Sequence, residues 1–449
     1  MSTKLSQSYA EKTVAAPQYT LITNVRLPDF TTQTNEVCDI LLKREPSASL
    51  PVIEAIGKGL SPTVESLLKI QGAGLYACCS FVDLHTHTCD PGNLALEDIR
   101  HAGEGALAGG YGDVLALPYA PIHWKNSELI TYLASNYATN GLLDFHQAFY
   151  LTEQNRGEAL SDLEGLFAAG IHVFYEEGYA SAALLFQGME RIAKLGGLLI
   201  LRCNLPSLCP SGNPINARAA IAAETAPLSA AIAMAEATGC RLHITLISTA
   251  PAVEMIRAAK IRGVNITCDT APQYFTYDDR ELLFQGGPVK VDPPLRKASD
   301  KRAVIQGLAD GTIDCIVSDH TPVAEEDKNC KTADAIPGML GLQTAFGLAL
   351  RELHALDRNG SPIMDVHAII RLFTENPAKI LGLSRSIEVG SPAKLILLDL
   401  NGEYTFTQKL LKSKSKNCPW TEQRLRGRVK YNFAKIQKDA SPRTKNGRQ

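Results

Sequence analysis

Residues 83–92 read Asp83-Leu84-His85-Thr86-His87-Thr88-Cys89-Asp90-Pro91-Gly92. On an extended strand, residues two apart project the same way, so His85 and His87 would enter one cavity, where neutral imidazoles are good ligands for zinc. The run before them, Leu75-Tyr76-Ala77-Cys78-Cys79-Ser80-Phe81-Val82, is apolar enough for a buried strand and places the pair at its C-terminal end. In a barrel of parallel strands, that end carries the active site. The motif therefore points to a metal-binding barrel, yet the further histidines such a site needs are missing downstream.

The texture of the chain supports the barrel. From about Gly74 to Leu383, apolar strands alternate with Ala-rich helical stretches. Leu198-Leu199-Ile200-Leu201 reads as a strand, Ser229-Ala230-Ala231-Ile232-Ala233-Met234-Ala235 as part of a helix, and Arg241-Leu242-His243-Ile244-Thr245-Leu246-Ile247 as the next strand. Strand and helix repeating at this interval imply a parallel sheet with right-handed crossovers, most simply a closed (β/α)8 barrel of the TIM type. Short alternating runs near Tyr19-Thr20-Leu21-Ile22, Asp39-Ile40-Leu41-Leu42 and Ala393-Lys394-Leu395-Ile396-Leu397-Leu398-Asp399 read as strands of a small β domain built from both ends. With 449 residues, 45% of them hydrophobic and 20% charged, there is room for that barrel and one accessory domain. The expected division is 19–73 and 384–432 for the two parts of the β domain, 74–383 for the barrel, and 433–449 for a disordered basic tail.

Four segments together carry a family resemblance. His85-x-His87 with Asp90-Pro91-Gly92 is followed by Pro293-Pro294-Leu295-Arg296. Next come Ser318-Asp319-His320-Thr321-Pro322 and Asn376-Pro377-Ala378-Lys379-Ile380-Leu381-Gly382-Leu383. In this order and spacing the chain resembles the dihydroorotase branch of the amidohydrolase superfamily from about Tyr19 to Val429. The resemblance implies a TIM-type barrel with a β domain formed from both termini.

Carried over position by position, the resemblance also exposes losses. Cys89 stands where the family has an arginine that grips the substrate carboxylate, and a thiol cannot supply the bidentate guanidinium fork. Leu117-Pro118-Tyr119-Ala120-Pro121 replaces a segment whose asparagine touches substrate. The metal-bridging position falls in Phe174-Tyr175-Glu176-Glu177-Gly178, where Glu176 is the expected ligand. Arg202-Cys203-Asn204 and Leu246-Ile247-Ser248-Thr249 replace the segments of two later histidine ligands. A permanent cation repels a metal, and leucine offers no lone pair. His243 lies three residues before Leu246, faces the other way on a regular strand, and reads as structural. Ala271-Pro272-Gln273-Tyr274, Val323 and Gln343 depart from family patterns as well.

What survives is His85, His87 and Asp319, with Glu176 as a possible fourth ligand. These residues would hold residual zinc at most, and no cofactor is expected. Asp319 would be catalytic only in an active chain, where the family's aspartate acts as general base. The resemblance extends to non-catalytic dihydroorotase-like chains that accompany aspartate carbamoyltransferase. It implies a structural partner of that enzyme's catalytic chain in pyrimidine biosynthesis, as homo- and hetero-oligomer. The alternative is an active metal-dependent dihydroorotase or related cyclic amidase, with Arg202 as a replacement carboxylate grip. The net charge of −2 gives no general attraction to nucleic acid or membrane. Scattered cysteines, 11 in all, and a polar start carrying Lys4, Glu11 and Lys12 are the expectation for a cytoplasmic protein with reduced thiols.

Overall fold

The computed structural model describes residues 18–435 except 31, 46–47, 120–124, 214–215 and 358. Two sheets at opposite ends of the design logic organise the chain. The first is antiparallel for the most part, and its strands bury short apolar runs such as Ile40-Leu41-Leu42 and Leu395-Ile396-Leu397-Leu398. It is built from β1 (Tyr19–Asp29), β2 (Thr34–Lys43), β3 (Val52–Gly57), β4 (Leu67–Gln71) and β5 (Tyr76–Cys79). The C-terminal strands later named β15 (Leu395–Phe406) and β16 (Gln423–Asn432) complete it, in the order β16-β15-β5-β1-β2-β3 with β4 on β1. The antiparallel register Leu395↔Cys79 to Leu398↔Tyr76 joins the two chain ends, as the resemblance implied. Ile22, Ile40, Leu42, Ile53, Leu395 and Leu397 form its own small core.

The second sheet closes on itself. Its strands are β6 (Phe81–Thr86), β7 (Tyr111–Ala116), β8 (Asp144–Gln147) continued past Ala148 by β9 (Phe149–Tyr150), β10 (Val173–Glu176), β11 (Leu198–Arg202), β12 (Arg241–Thr245), β13 (Ile266–Thr270) and β14 (Cys315–Ile316). Counting β8 and β9 as one bent strand, these are eight parallel strands. Every neighbouring pair runs parallel. Strands buried on both faces need near-continuous apolar runs, which is why all six residues of β6 and of β7 are buried.

The seam between first and last strands is held by side chains. Asp83 accepts from the Ser318 backbone N–H at 2.7 Å and from Ser318 Oγ at 2.6 Å, and also takes the Thr86 hydroxyl, while Thr86 and His320 form a parallel bridge. The Asp83 of the opening motif is thus the clasp of the barrel. The apolar run 75–82 is not one strand, however. Tyr76–Cys79 belongs to the small sheet, and the barrel begins at Phe81. Because apolar runs on both sides of Ser80 are buried, periodicity alone could not separate them.

Helices cover the barrel where a cap and a glycine bracket an amphipathic run. Asp98, Ser181, Asn216 and Thr249 cap the helices Ile99–Gly109, Ala182–Leu195, Ala217–Thr238 and Ala250–Ile261, and Gly110, Gly196 and Gly239 end the first three in left-handed conformation. Two connections fasten the layers. Lys394 donates to both Asp113 oxygens at 3.0 and 3.1 Å, tying β7 to the start of β15. Segment 407–422 does not stay in the β domain: Ser415 Oγ reaches the Leu96 carbonyl at 2.7 Å and Asn417 Nδ2 the Thr321 carbonyl at 2.9 Å, on the barrel's loop side. Phe433 and Ala434 continue the small sheet, Phe433 donating its N–H to the Leu395 carbonyl at 2.9 Å, and the expected tail from 436 onward lies outside the described residues.

Candidate functional site

The C-terminal ends of the barrel strands surround a cavity of ≈ 240 Å³ whose lining includes His85, His87, Tyr175, Glu177, Arg202, Leu246, Asp292 and Asp319. His85 is 2% exposed, and its ring lies 5.4 Å from that of His87. The pair predicted from sequence is therefore real, and Asp319 joins it, with Oδ1 at 3.5 Å from His85 Nε2. The other ring nitrogen of His85 is engaged with Thr245 Oγ1 at 2.9 Å. Burial, seconded by the neighbouring His87 and Arg202, drives the His85 pKa well below its usual value. Burial likewise takes His87 down to about 4, with Arg202 adding to the effect and Glu177 opposing it. Both rings are neutral donors of lone pairs.

Asp319 sits in the left-handed region at φ 47°, and burial pushes its carboxyl up to about 8, against the hydrogen bond it accepts from Gln273 Nε2 at 2.6 Å. Gln273, in the segment that departs from the family pattern, thus holds the surviving aspartate. Leu246 is also left-handed, at φ 61°, with its N–H on Asp269 Oδ1 at 2.7 Å. For residues with a Cβ this conformation costs on the order of 1–3 kcal/mol. The backbone thus still aims position 246 into the cavity, although leucine has nothing to coordinate with.

Arg202 dominates the electrostatics. Its Nη1 and Nη2 each reach Asp292, at the carbonyl and at Oδ2, both at 3.2 Å, and the two side chains are each 14% exposed. Burial opposes its charge, but Asp292 and Glu177 more than offset this and raise its pKa. The guanidinium Nε has no hydrogen-bond partner among the described residues. A fixed cation thus stands beside the histidine pair.

Glu176 is not brought to this cavity. Its Oε1 accepts the Tyr179 and Ala180 N–H groups at 2.7 and 3.0 Å, closing the turn after β10. The neighbouring carboxylate, Glu177, lines the cavity instead, held by Tyr175 Oη at 3.1 Å and Asn155 Nδ2 at 2.9 Å. Tyr175 and Glu177 are two apart, so the strand period that paired His85 with His87 would also have selected Glu177 over Glu176 once Tyr175 was assigned inward. Asp292 was likewise missed, although it stands directly before the Pro293-Pro294 pair. His243 is structural, as expected: its ring nitrogens engage Thr267 Oγ1 at 2.8 Å and Asp269 Oδ2 at 2.9 Å, leaving none for a metal.

The remaining departures serve packing. Cys89 is fully buried, and burial, reinforced by Glu97 and Asp90, pushes its thiol up to about 12. The Tyr119 ring lies over Gly92, where an added Cβ would come within 2.5 Å of it. Gln343 grips the 407–422 segment through the Leu410 carbonyl at 2.9 Å and the Lys412 N–H at 2.7 Å, and the Val323 N–H donates to Asn417. Arg296, from the Pro-Pro-Leu-Arg segment, is structural too. It bonds Glu224, the Ala220 carbonyl and Ser248 at 2.9–3.0 Å.

The pair of metal ions that the family resemblance implies can be tested against these donors. A catalytic zinc takes about three ligands from protein, so two ions call for about six. The cavity offers two imidazoles and the carboxylates of Glu177, Asp292 and Asp319, of which Asp292 is paired with Arg202 and Glu177 with Tyr175 and Asn155. This donor set does not fit a binuclear centre.

Comparison with known proteins places the chain. Residues 76–441 match the amidohydrolase family. A dihydroorotase of Caldanaerobacter subterraneus is 32% identical over 408 residues, spanning 88% of this chain and 93% of that protein, and one of Aquifex aeolicus is 31% identical over 373 residues, spanning 81% and 87%. Among solved structures, dihydropyrimidinase from Brevibacillus agri superposes with a TM-score of 0.78 at 20% identity, covering 92% of each chain. L-hydantoinase from Arthrobacter aurescens gives 0.78 at 22%, covering 91% of this chain and 93% of that one. These two likenesses bear on the fold, a TIM barrel with a small β domain. Among the described residues, no helix is long and apolar enough to cross a membrane.

Proposed function

The chain belongs to the amidohydrolase family and is dihydroorotase-like over most of its length, and from that premise we propose that it is a cytoplasmic dihydroorotase homologue of pyrimidine biosynthesis that does not hydrolyse a ring amide and acts as a structural partner of the aspartate carbamoyltransferase catalytic chain. The observation that carries this reading is the Arg202–Asp292 pair inside the barrel mouth. Opening the ring of dihydroorotate requires an activated water beside the carbonyl, and its carboxylate calls for a cationic grip. Among the described residues lining the cavity, the one cation, Arg202, faces the Asp292 carboxylate. The position expected to grip substrate is the buried thiol of Cys89, and the position next in line is the ring of Tyr119. By contrast, Asp83 and Arg296 in the scaffold are each bonded three ways, which suits a barrel kept for its surface.

Co-expression with the aspartate carbamoyltransferase chain of the same source tests the reading. Size-exclusion chromatography with light scattering should give one hetero-oligomer, with the carbamoyltransferase activity or solubility dependent on this chain. Two proteins eluting independently, each stable and active alone, would refute it.

A second reading rests on a specific observation: His85, His87, Glu177, Arg202 and Asp319 do share one cavity. A single zinc on the histidines, with Arg202 released from Asp292 to hold a carboxylate, would make a cyclic amidase. Metal analysis distinguishes the two, since the scaffold reading expects well under one zinc per chain after mild chelation.

A further inference from the structure

The charge of this chain is unevenly placed. Residues 424–449 carry nine Lys and Arg against one Asp, and with a net charge of −2 for the whole, the rest sums to −10. Four of those cations, Arg424, Arg426, Arg428 and Lys430, alternate along β16, which is the edge strand of the small sheet. Between them Leu425 and Gly427 turn inward, packing on the helix Ala345–Leu353 through Gly347 and Leu350. Alternation thus puts the cations on the outward side. Nearby carboxylates neutralise only half of them: Glu403 pairs with Arg424 at 2.6 Å and Asp399 with Lys430 at 3.5 Å. Arg428 lies 5.8 Å over the Tyr404 ring and Arg426 bonds the Leu400 carbonyl at 3.1 Å. At the end of the ribbon, Tyr431, 43% exposed, stacks on Phe433.

Charged residues on an edge strand also discourage strand addition, and lysine is the usual choice for that purpose. Three of these four are arginine, whose planar fork pairs bidentately with carboxylates and which, like tyrosine, is enriched in protein interfaces. From this geometry we infer that the outer face of β16 is a docking surface for an acidic face of another protein. Protein rather than nucleic acid or membrane is favoured by the rest of the molecule. A long polyanion or an anionic bilayer would extend past the ribbon onto the −10 body, whereas a compact acidic patch need cover only the ribbon, where Glu403 and Asp399 are already paired. The surface stands on this charge pattern whatever the partner's identity.

The test uses the full chain and a labelled 20-residue polyglutamate peptide as acidic probe, read by fluorescence anisotropy at low salt. The combined variant Arg424→Gln, Arg428→Gln, Lys430→Gln should bind about tenfold more weakly, and raising salt to several Debye lengths' worth of screening should weaken the wild type by a similar factor. A chain ending at Lys435 should keep the ribbon-dependent part of the binding. Equal thermal midpoints for wild type and variant would show that folding is unaffected; if the variant unfolds, Arg424→Gln alone, whose side chain is 78% exposed, should still weaken binding. Overturning results are unchanged affinity in the variants, loss of all binding on truncation alone, or tighter binding to a 20-base-pair duplex or phosphatidylserine vesicles than to the peptide.

Discussion

The barrel's seams and the barrel's mouth use the same residue types to opposite effect. Away from the mouth, two buried charges are each bonded three ways. Asp83 takes three donors from Ser318 and Thr86, and Arg296 spends its guanidinium on Glu224, Ala220 and Ser248. At the mouth, Arg202 leaves its Nε without a partner among the described residues. Buried polar atoms are normally bonded, so the contrast separates charges that the scaffold engages on several sides from one left partly unanswered beside the cavity.

The largest effect should come from the seams. Glu224→Ala strands the buried Arg296 and should cost about 3–5 kcal/mol in chemical denaturation. Arg202→Met should cost no more than about 1–3 kcal/mol, because Asp292 keeps access to water in the open cavity. If Arg202→Met proves the more damaging, the mouth is the structural centre and the comparison fails.

A pH titration separates the regions next. Burial alone would raise Asp113, but the His146 hydrogen bond and the Lys394 and Arg385 charges hold it at about 2, below its unfolded value near 3.8. Its carboxylate therefore adds stability above the unfolded value, and this is lost as the pH falls through 3.8 toward 2, a contribution of about 2 kcal/mol. Lys394→Met should flatten that acid limb of the stability curve. An unchanged limb would mean that the cluster does not hold the β domain to the barrel.

Much of this contrast was legible in sequence and some was not. The strand period paired His85 with His87, and the motif order fixed the barrel and the two-ended β domain. The same period failed at Glu176, because the choice between adjacent carboxylates depends on which residue of β10 faces inward, and nothing in Phe174-Tyr175-Glu176-Glu177 settles that locally. Nor could sequence show that Arg202 is answered by Asp292, 90 residues away. The apolar run 75–82 misled for a related reason: two short strands of different sheets, joined at Ser80, look like one.

Smaller effects belong to the mouth. Cys89→Arg forces a long cation into a fully buried site and should destabilise by about 1–3 kcal/mol without creating activity, measured by thermal denaturation and a coupled turnover assay. Gained turnover would show that the carboxylate grip was the only missing part. If the proposed carbamoyltransferase complex forms, His85→Ala and His87→Ala should change its affinity by less than about threefold, under 1 kcal/mol, since both side chains line the barrel cavity.

The central claim, that this dihydroorotase-like barrel no longer performs ring-amide hydrolysis, is met most directly by assaying the interconversion of carbamoyl aspartate and dihydroorotate with zinc supplied, wild type beside Asp319→Asn. Both should give the same background rate. A wild-type rate above background that disappears in Asp319→Asn would contradict it and establish an active enzyme at His85, His87 and Asp319.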